Sequence, residues 1–231
     1  MTFTDLMMLM PLAVLGAVLG LDVVSFPQAM VSRPIVASTL AGALIGQSGR
    51  GLMMGVALEF FALESMPFGA SRYPEWGSAS VVGGVLFAQT ADGTAAAMMV
   101  AALAALLTAS IGGSSMVLMR RANAVWARRQ QARISRGSGS AVVALQLVGM
   151  TSDLLRGGVL TLLALLVFVP LHEAVMATVT ISPVLSRAVV VSVASAVGLA
   201  AVWKVVHTTV GARWYLLGGL ATGFVIAAVL T

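Results

Sequence analysis

Apolar residues occur along this chain in runs of two lengths. We interpret the long runs as membrane-spanning helices, each of which needs about 20 apolar residues, at 6–21, 95–119, 157–171, 184–206 and 214–230. Shorter runs, bounded by Gly, Pro or charged residues, cover 34–46, 51–63 and 79–89. Helices this short do not cross a bilayer alone, but buried discontinuous helices commonly build the substrate sites of transporters. The pattern predicts an all-α, polytopic integral membrane protein with discontinuous or re-entrant helices and roughly 7–10 membrane segments.

Composition supports this interpretation and narrows the chemistry. The 231 residues are 59% hydrophobic and include 13 Lys+Arg and 8 Asp+Glu, whereas soluble domains are about 45–50% apolar and about 25% charged. No cysteine is present, which excludes disulfides, iron–sulfur clusters and thiolate metal sites. His172 and His207 are too few for a histidine metal site. We therefore expect neither a metal nor a cofactor.

Positive charge is concentrated in residues 120–140, the basic segment. It contains Arg120, Arg121, Arg128, Arg129, Arg133 and Arg136. Arginine-rich segments beside membrane spans stay in the cytoplasm. Trp126 is the only aromatic residue among these arginines, which argues against nucleic acid.

The basic segment also predicts how the chain is divided. We expect an N-terminal membrane bundle with re-entrant site elements over 1–119, a basic cytoplasmic loop or amphipathic helix over 120–140, and a C-terminal bundle over 141–231. Asp5 and the lack of basic residues before the first run indicate a retained membrane segment rather than a cleaved signal peptide.

Two carboxylates lie within the apolar stretch that follows the first short run. Glu59 has apolar neighbours on both sides, and Glu64 stands beside Ser65 at a predicted helix end. A carboxylate at membrane depth is costly unless it faces a polar cavity or a partner. Glu59 is therefore a candidate site residue, while Glu64 can equally well reach the interface.

Polar and aromatic residues, including Tyr73, Glu75 and Trp76, cluster with two prolines over 66–78, between two apolar runs. A carboxylate that accepts hydrogen bonds from hydroxyls, next to flat aromatic faces, suits a sugar. The alternative is an interfacial loop with an aromatic belt.

Further polar residues precede the first short run. Asp22 and Gln28 have no obvious aqueous loop to enter. They either line a cavity or satisfy free backbone groups. An intramembrane enzyme has little support, because the small-residue stretch 112–115 has no histidine motif to activate a serine. We predict no catalytic residue.

The stretch 32–84 resembles the membrane subunit IIC of the mannose/fructose/sorbose-type sugar phosphotransferase system. The likeness consists of an Arg-Pro opening, a Gly-interrupted short helix ending at Gly46, a second short helix with Leu-Glu and Ala-Leu at 58–63, and a Gly-Ala…Pro-acid element at 69–75. It continues more loosely over most of the chain.

The resemblance implies a sugar permease subunit of the bacterial inner membrane that binds a hexose-like sugar and moves it inward. A membrane subunit IID and cytoplasmic subunits IIA and IIB would complete the system, with phosphoryl transfer carried by the partners and assembly as a trimer of IIC–IID pairs. By position, Glu59 and Glu75 match the family's sugar-contacting acids, and Gln28 is a third candidate; Asp22 and Trp76 complete our predicted site. The alternative is a IIC-like sensor or scaffold that does not transport, or an uncoupled sugar carrier.

Overall fold

The computed structural model describes residues 3–64, 73–90, 93–178 and 209–230, together with single positions between 182 and 207. Every regular element in these ranges is a helix. They are α1 (Phe3–Val24), α2 (Pro34–Leu44), α3 (Ser48–Glu64), α4 (Trp76–Ala88), α5 (Ala95–Ile134), α6 (Gly139–Thr178) and α7 (Ala212–Leu230). The predicted all-α class is confirmed. Most of the predicted span 184–206, residues 65–72 and the Glu64 side chain lie outside the described part.

The three short helices correspond to the three short apolar runs. At 1.5 Å per residue, α2 and α4 are about 17 and 20 Å long, well below the roughly 30 Å of bilayer hydrocarbon. α2 and α3 form an antiparallel hairpin whose turn contains Gly46 at φ +76°. In α4, every residue from Gly77 to Ala88 is buried. α4 is thus enclosed by protein, as backbone that does not span the membrane requires, whereas α2 and α3 each also have an exposed apolar face.

Close packing among these helices depends on small side chains. The Ser38 hydroxyl of α2 donates to the Gly51 carbonyl of α3 at 2.8 Å. A Cβ added to Gly84 of α4 would lie 2.6 Å from the Ser38 Oγ. α1 packs on α6 in the same way, because a Cβ on Gly20 would lie 3.0 Å from the Gly157 Cα. Small residues let the helix backbones approach each other closely, as in other membrane bundles.

The long helices α5 and α6 cross the boundaries that were expected between the parts of the chain. Each has 40 residues and is about 60 Å long. Both are long and apolar enough to span a membrane. The expected boundaries at 119/120 and 140/141 fall inside α5 and α6, and the chain reverses over 135–138 with Gly137 at φ +80°. Arg, Gln and Ala are strong helix formers, so α5 continues into the basic segment as far as Ile134.

Candidate binding cavity

A loop between α1 and α2, residues 25–33, forms one wall of a cavity. Asp22, at the end of α1 and only 3% exposed, holds this loop. Its Oδ1 accepts the Ala29 N–H at 2.7 Å and its Oδ2 accepts the Ser32 N–H at 2.9 Å. The Ser25 hydroxyl donates to Asp153 on α6. Two buried carboxylates therefore fix the loop near both of its ends.

Two residues of the loop have backbone conformations that residues other than glycine rarely adopt. Gln28 and Met30 have φ values of +57° and +61°, in the left-handed region that costs non-glycine residues energy. Both residues line the cavity. The anchoring carboxylates stabilise a loop shape that presents these two side chains to the same space.

The opposite wall is the extended segment 73–75 that leads into α4. The Glu75 side chain accepts the Ser78 N–H, with its oxygens 3.2 and 3.3 Å from the nitrogen, and so caps the N-terminus of α4. Its own N–H donates to the Ala109 carbonyl of α5 at 3.0 Å. Glu75 is completely buried. The cap and the α5 contact together hold Tyr73 and Trp76 against the cavity.

The cavity between these walls has a volume of about 300 Å³, at the lower end of the range for small-molecule sites. It combines a carboxylate, an amide, a hydroxyl and a guanidinium with two aromatic side chains. Such a set can exchange hydrogen bonds with several hydroxyls and cover the apolar face of a ring. The lining residues are Asp22, Val23, Gln28, Met30, Ser32, Arg33, Pro34, Ala62, Tyr73, Pro74 and Trp76.

Three of the five predicted site residues, Asp22, Gln28 and Trp76, meet at this cavity. Glu59 and Glu75 are not among the described residues that line it. Glu59 instead forms an ion pair with Arg33 and accepts the Ile35 N–H at 3.2 Å. Glu59 therefore acts on the cavity wall through Arg33, and Glu75 through α4.

One contact of the cavity was not anticipated from the sequence. Arg120 Nη2 lies 2.6 Å from the Tyr73 hydroxyl oxygen, and the guanidinium carbon lies 5.2 Å from the centre of the Tyr73 ring. The sequence places Arg120 in a run of arginines and offers no signal for this pairing across 47 positions. The first residue of the basic segment thus contacts a residue of the cavity wall.

A second buried polar group lies at the same end of the bundle. The side chains of Asp153 and Arg156 are 6% and 8% exposed, and Arg156 Nε lies 4.0 Å from Asp153 Oδ1. The guanidinium lies beside Gly20 of α1, because a Cβ there would be in van der Waals contact with Arg156 Nη2 at 3.6 Å. Arg156 partly neutralises the buried Asp153 carboxylate, which accepts the hydrogen bond from Ser25.

Solved structures with this fold are membrane proteins. The chain superposes on a structure described as a membrane protein with a TM-score of 0.67 and 20% identity, covering 99% of this chain and 87% of that one. It superposes on the mannose transporter ManYZ in complex with microcin E492 with a TM-score of 0.58 and 21% identity, at the same coverages. The class is therefore a polytopic helical membrane protein with the fold of these two structures.

The family follows from the sequence comparison. A family model described as the sorbose-specific IIC component of the phosphotransferase system matches residues 6–231, so the chain belongs to this IIC family. The predicted resemblance is confirmed.

Two characterised relatives have related descriptions. The fructose permease IIC component of Bacillus subtilis (strain 168) is 25% identical over 163 residues, 71% of this chain and 59% of the relative. The sorbose-specific EIIC component of Klebsiella pneumoniae is 36% identical over 80 residues, 33% of this chain and 30% of the relative. The chain thus matches 59% or less of the length of either relative.

Proposed function

We propose that the chain is the sugar-binding IIC permease subunit of a mannose-type phosphotransferase system, which takes up a hexose-like sugar across the bacterial inner membrane. The observation that carries the proposal is the cavity between the 25–33 loop and the segment before α4. Family membership supports the system, and the names of the relatives support a sugar such as fructose or sorbose.

The cavity residues can bind different parts of a sugar. Gln28 can both donate to and accept from hydroxyls, and Arg33 donates. Asp22 shapes the site by holding the loop, since both of its oxygens accept from the loop backbone. Trp76 and Tyr73 offer aromatic faces to the C–H side of the ring. In this proposal Glu59 and Glu75 are supporting carboxylates, since Glu59 holds Arg33 and Glu75 holds the start of α4.

The position of the cavity supports inward delivery. The segment before α4 is bound to Arg120, where the basic segment begins, and the loop at 25–33 is bound to Asp153 at the matching level of α6. Because arginine-rich segments stay in the cytoplasm, this end of the bundle faces inward. Sugar released there would meet cytoplasmic IIA and IIB subunits, which would carry out the phosphoryl transfer.

The proposed assembly contains a IID subunit in the membrane and the cytoplasmic carriers, arranged as an oligomer of IIC–IID pairs. Two measurements test the function together. Mild-detergent copurification from native membranes, followed by mass spectrometry, should recover a second polytopic subunit and a IIB-like protein. Vesicles from the same cells should take up labelled hexose only when phosphoenolpyruvate is supplied.

The outcomes separate the alternatives. Uptake that needs no phosphoenolpyruvate would indicate an uncoupled carrier. Sugar binding without any uptake would indicate a sensor or scaffold. Neither binding nor uptake of any hexose would contradict the proposal.

A further inference from the structure

The cavity wall formed by residues 73–75 is attached to one stripe of α5. The contacts involve Ala109, whose carbonyl accepts the Glu75 N–H at 3.0 Å, and Gly113, which lies directly beside the Tyr73 carbonyl. Arg120 completes the stripe by binding the Tyr73 hydroxyl. The spacings of four and seven residues put all three positions on the same helix face. One face of α5 thus holds the whole segment.

Arg120 differs from its neighbours in the basic segment. It is partly buried, and its Nη2 lies 3.3 Å from the Met116 sulfur, one turn earlier on the same stripe. Arg121, the next residue, is exposed to the surroundings. Cytoplasmic retention by positive charge requires only charge near the membrane. The orientation of the chain in the membrane therefore does not require Arg120 to stack on Tyr73 and to bind its hydroxyl.

The Arg120 contact also fixes the direction of the Tyr73 hydroxyl. A guanidinium can only donate, so the Tyr73 oxygen is the acceptor in this hydrogen bond. The phenolic hydrogen is then available to donate to an oxygen in the cavity that Tyr73 lines. The adjacent positive charge strengthens that donor, since hydrogen bonds that involve a charged group are the stronger ones.

We propose that Arg120 is a positioning residue for ligand binding: it holds Tyr73 so that the phenolic hydrogen donates to one oxygen of the sugar. This inference rests on the proposed function. The first arginine of the basic segment then supports the sugar site, and Arg120 connects the cavity to the basic part of α5. Lysine cannot replace it fully, because an ammonium lacks the planar fork that both stacks and donates.

The test measures equilibrium binding of labelled fructose, mannose and sorbose to purified protein in detergent. Arg120→Ala and Tyr73→Phe should each weaken binding of the preferred sugar about tenfold. Arg121→Ala, the matched control that loses the same charge one residue away, should bind within about twofold of the wild type. The double variant Arg120→Ala/Tyr73→Phe should bind as weakly as either single variant, because the two groups act as one unit.

A second readout separates positioning from a general structural effect. Each singly deoxygenated form of the preferred sugar is measured with wild type and Arg120→Ala. For the form that lacks the oxygen bound by Tyr73, the difference between the two proteins should disappear. Tyr73→Phe, which removes one oxygen atom, covers the case in which Arg120→Ala does not fold.

The results distinguish this inference from the proposed function. If wild type and Arg121→Ala bind sugar and Arg120→Ala or Tyr73→Phe binds equally well, the positioning role is overturned while the function stands. Additive losses in the double variant, or a loss that is the same for every deoxygenated sugar, would also overturn it. If the wild type binds none of the hexoses, both the function and this inference fail.

Discussion

Glu59 is the residue whose role changes most between sequence and structure. It pairs with Arg33 at the cavity wall and has a side chain only 19% exposed. We predict that Glu59→Gln weakens sugar binding about tenfold, because the amide keeps the shape but removes the charge that holds the Arg33 guanidinium. Equilibrium sugar binding by the purified variant measures the effect.

Glu173→Gln provides the matched control for this prediction. Glu173 is an exposed residue of α6, so its neutralisation removes one negative charge without touching the cavity. Sugar affinity in this variant should equal that of the wild type. Unchanged affinity in Glu59→Gln would show that the ion pair does not support the site.

Glu75 acts on stability through the cap of α4. Glu75→Ala removes the acceptor for the Ser78 N–H inside a fully buried environment. The loss of an N-cap costs about 1 kcal/mol at an exposed helix end, and about 1–3 kcal/mol where the donor is left buried without an acceptor. We predict a clearly lower melting temperature in detergent for Glu75→Ala, and a smaller decrease for Glu75→Gln, which retains an acceptor oxygen. Equal melting of Glu75→Ala and wild type would refute the capping role.

Single residues show where sequence reasoning reaches its limit. Asp22, Gln28 and Trp76 were predicted to lie at one site because polar groups between apolar runs are costly and tend to face a cavity, and all three line the same cavity. The partners of the carboxylates were not predictable. Glu59 meets Arg33 only because α3 folds back along α2, and Arg120 meets Tyr73 only because α5 returns beside α4.

At the scale of elements, apolar run length predicted the short helices well. The runs at 34–46, 51–63 and 79–89 correspond to α2, α3 and α4, and their ends agree with the helix ends within a few residues. The expected division after residue 119 did not match a helix end, because a change from apolar to charged residues alters the surroundings of a helix and not its backbone. Arg, Gln and Ala continue α5 up to Ile134.

The close contact of α2 with α4 gives a prediction for the packing of these two short helices. In Gly84→Ala, the new methyl would lie 2.6 Å from the Ser38 Oγ and 2.8 Å from the Ser38 carbonyl oxygen. Because this site is enclosed, overpacking should cost about 1–3 kcal/mol and lower the melting temperature measured by fluorescence-detected gel filtration.

Gly149→Ala is the control for Gly84→Ala. Gly149 is a helical glycine of α6 at which an added Cβ meets no described atom within 4 Å. The same substitution should be neutral or slightly stabilising there, since Ala favours helix over Gly by about 1 kcal/mol. Equal effects at the two positions would contradict the tight packing of α2 on α4.

For the whole molecule, delivery of sugar to the cytoplasm requires that the turn between α5 and α6 faces the cytoplasm. The chain contains no cysteine, so Ser138→Cys introduces a single label site in this turn. A membrane-impermeant maleimide should label it in inside-out vesicles and not in right-side-out vesicles, because the basic segment stays inside. The reverse pattern would invert the topology and place the cavity on the outer side.

We propose that the cavity between the 25–33 loop and α4 binds a sugar. The most direct test of this proposal is equilibrium binding of labelled hexoses to wild type, Gln28→Asn and Gln146→Asn. Asn tolerates the left-handed backbone at position 28 and retracts the amide by one methylene, while Gln146 is exposed on α6.

We predict saturable binding of a hexose by the wild type, an equal affinity in Gln146→Asn, and binding at least about tenfold weaker in Gln28→Asn. Wild-type affinity in Gln28→Asn, or no saturable binding of any hexose by the folded wild-type protein, would contradict the account.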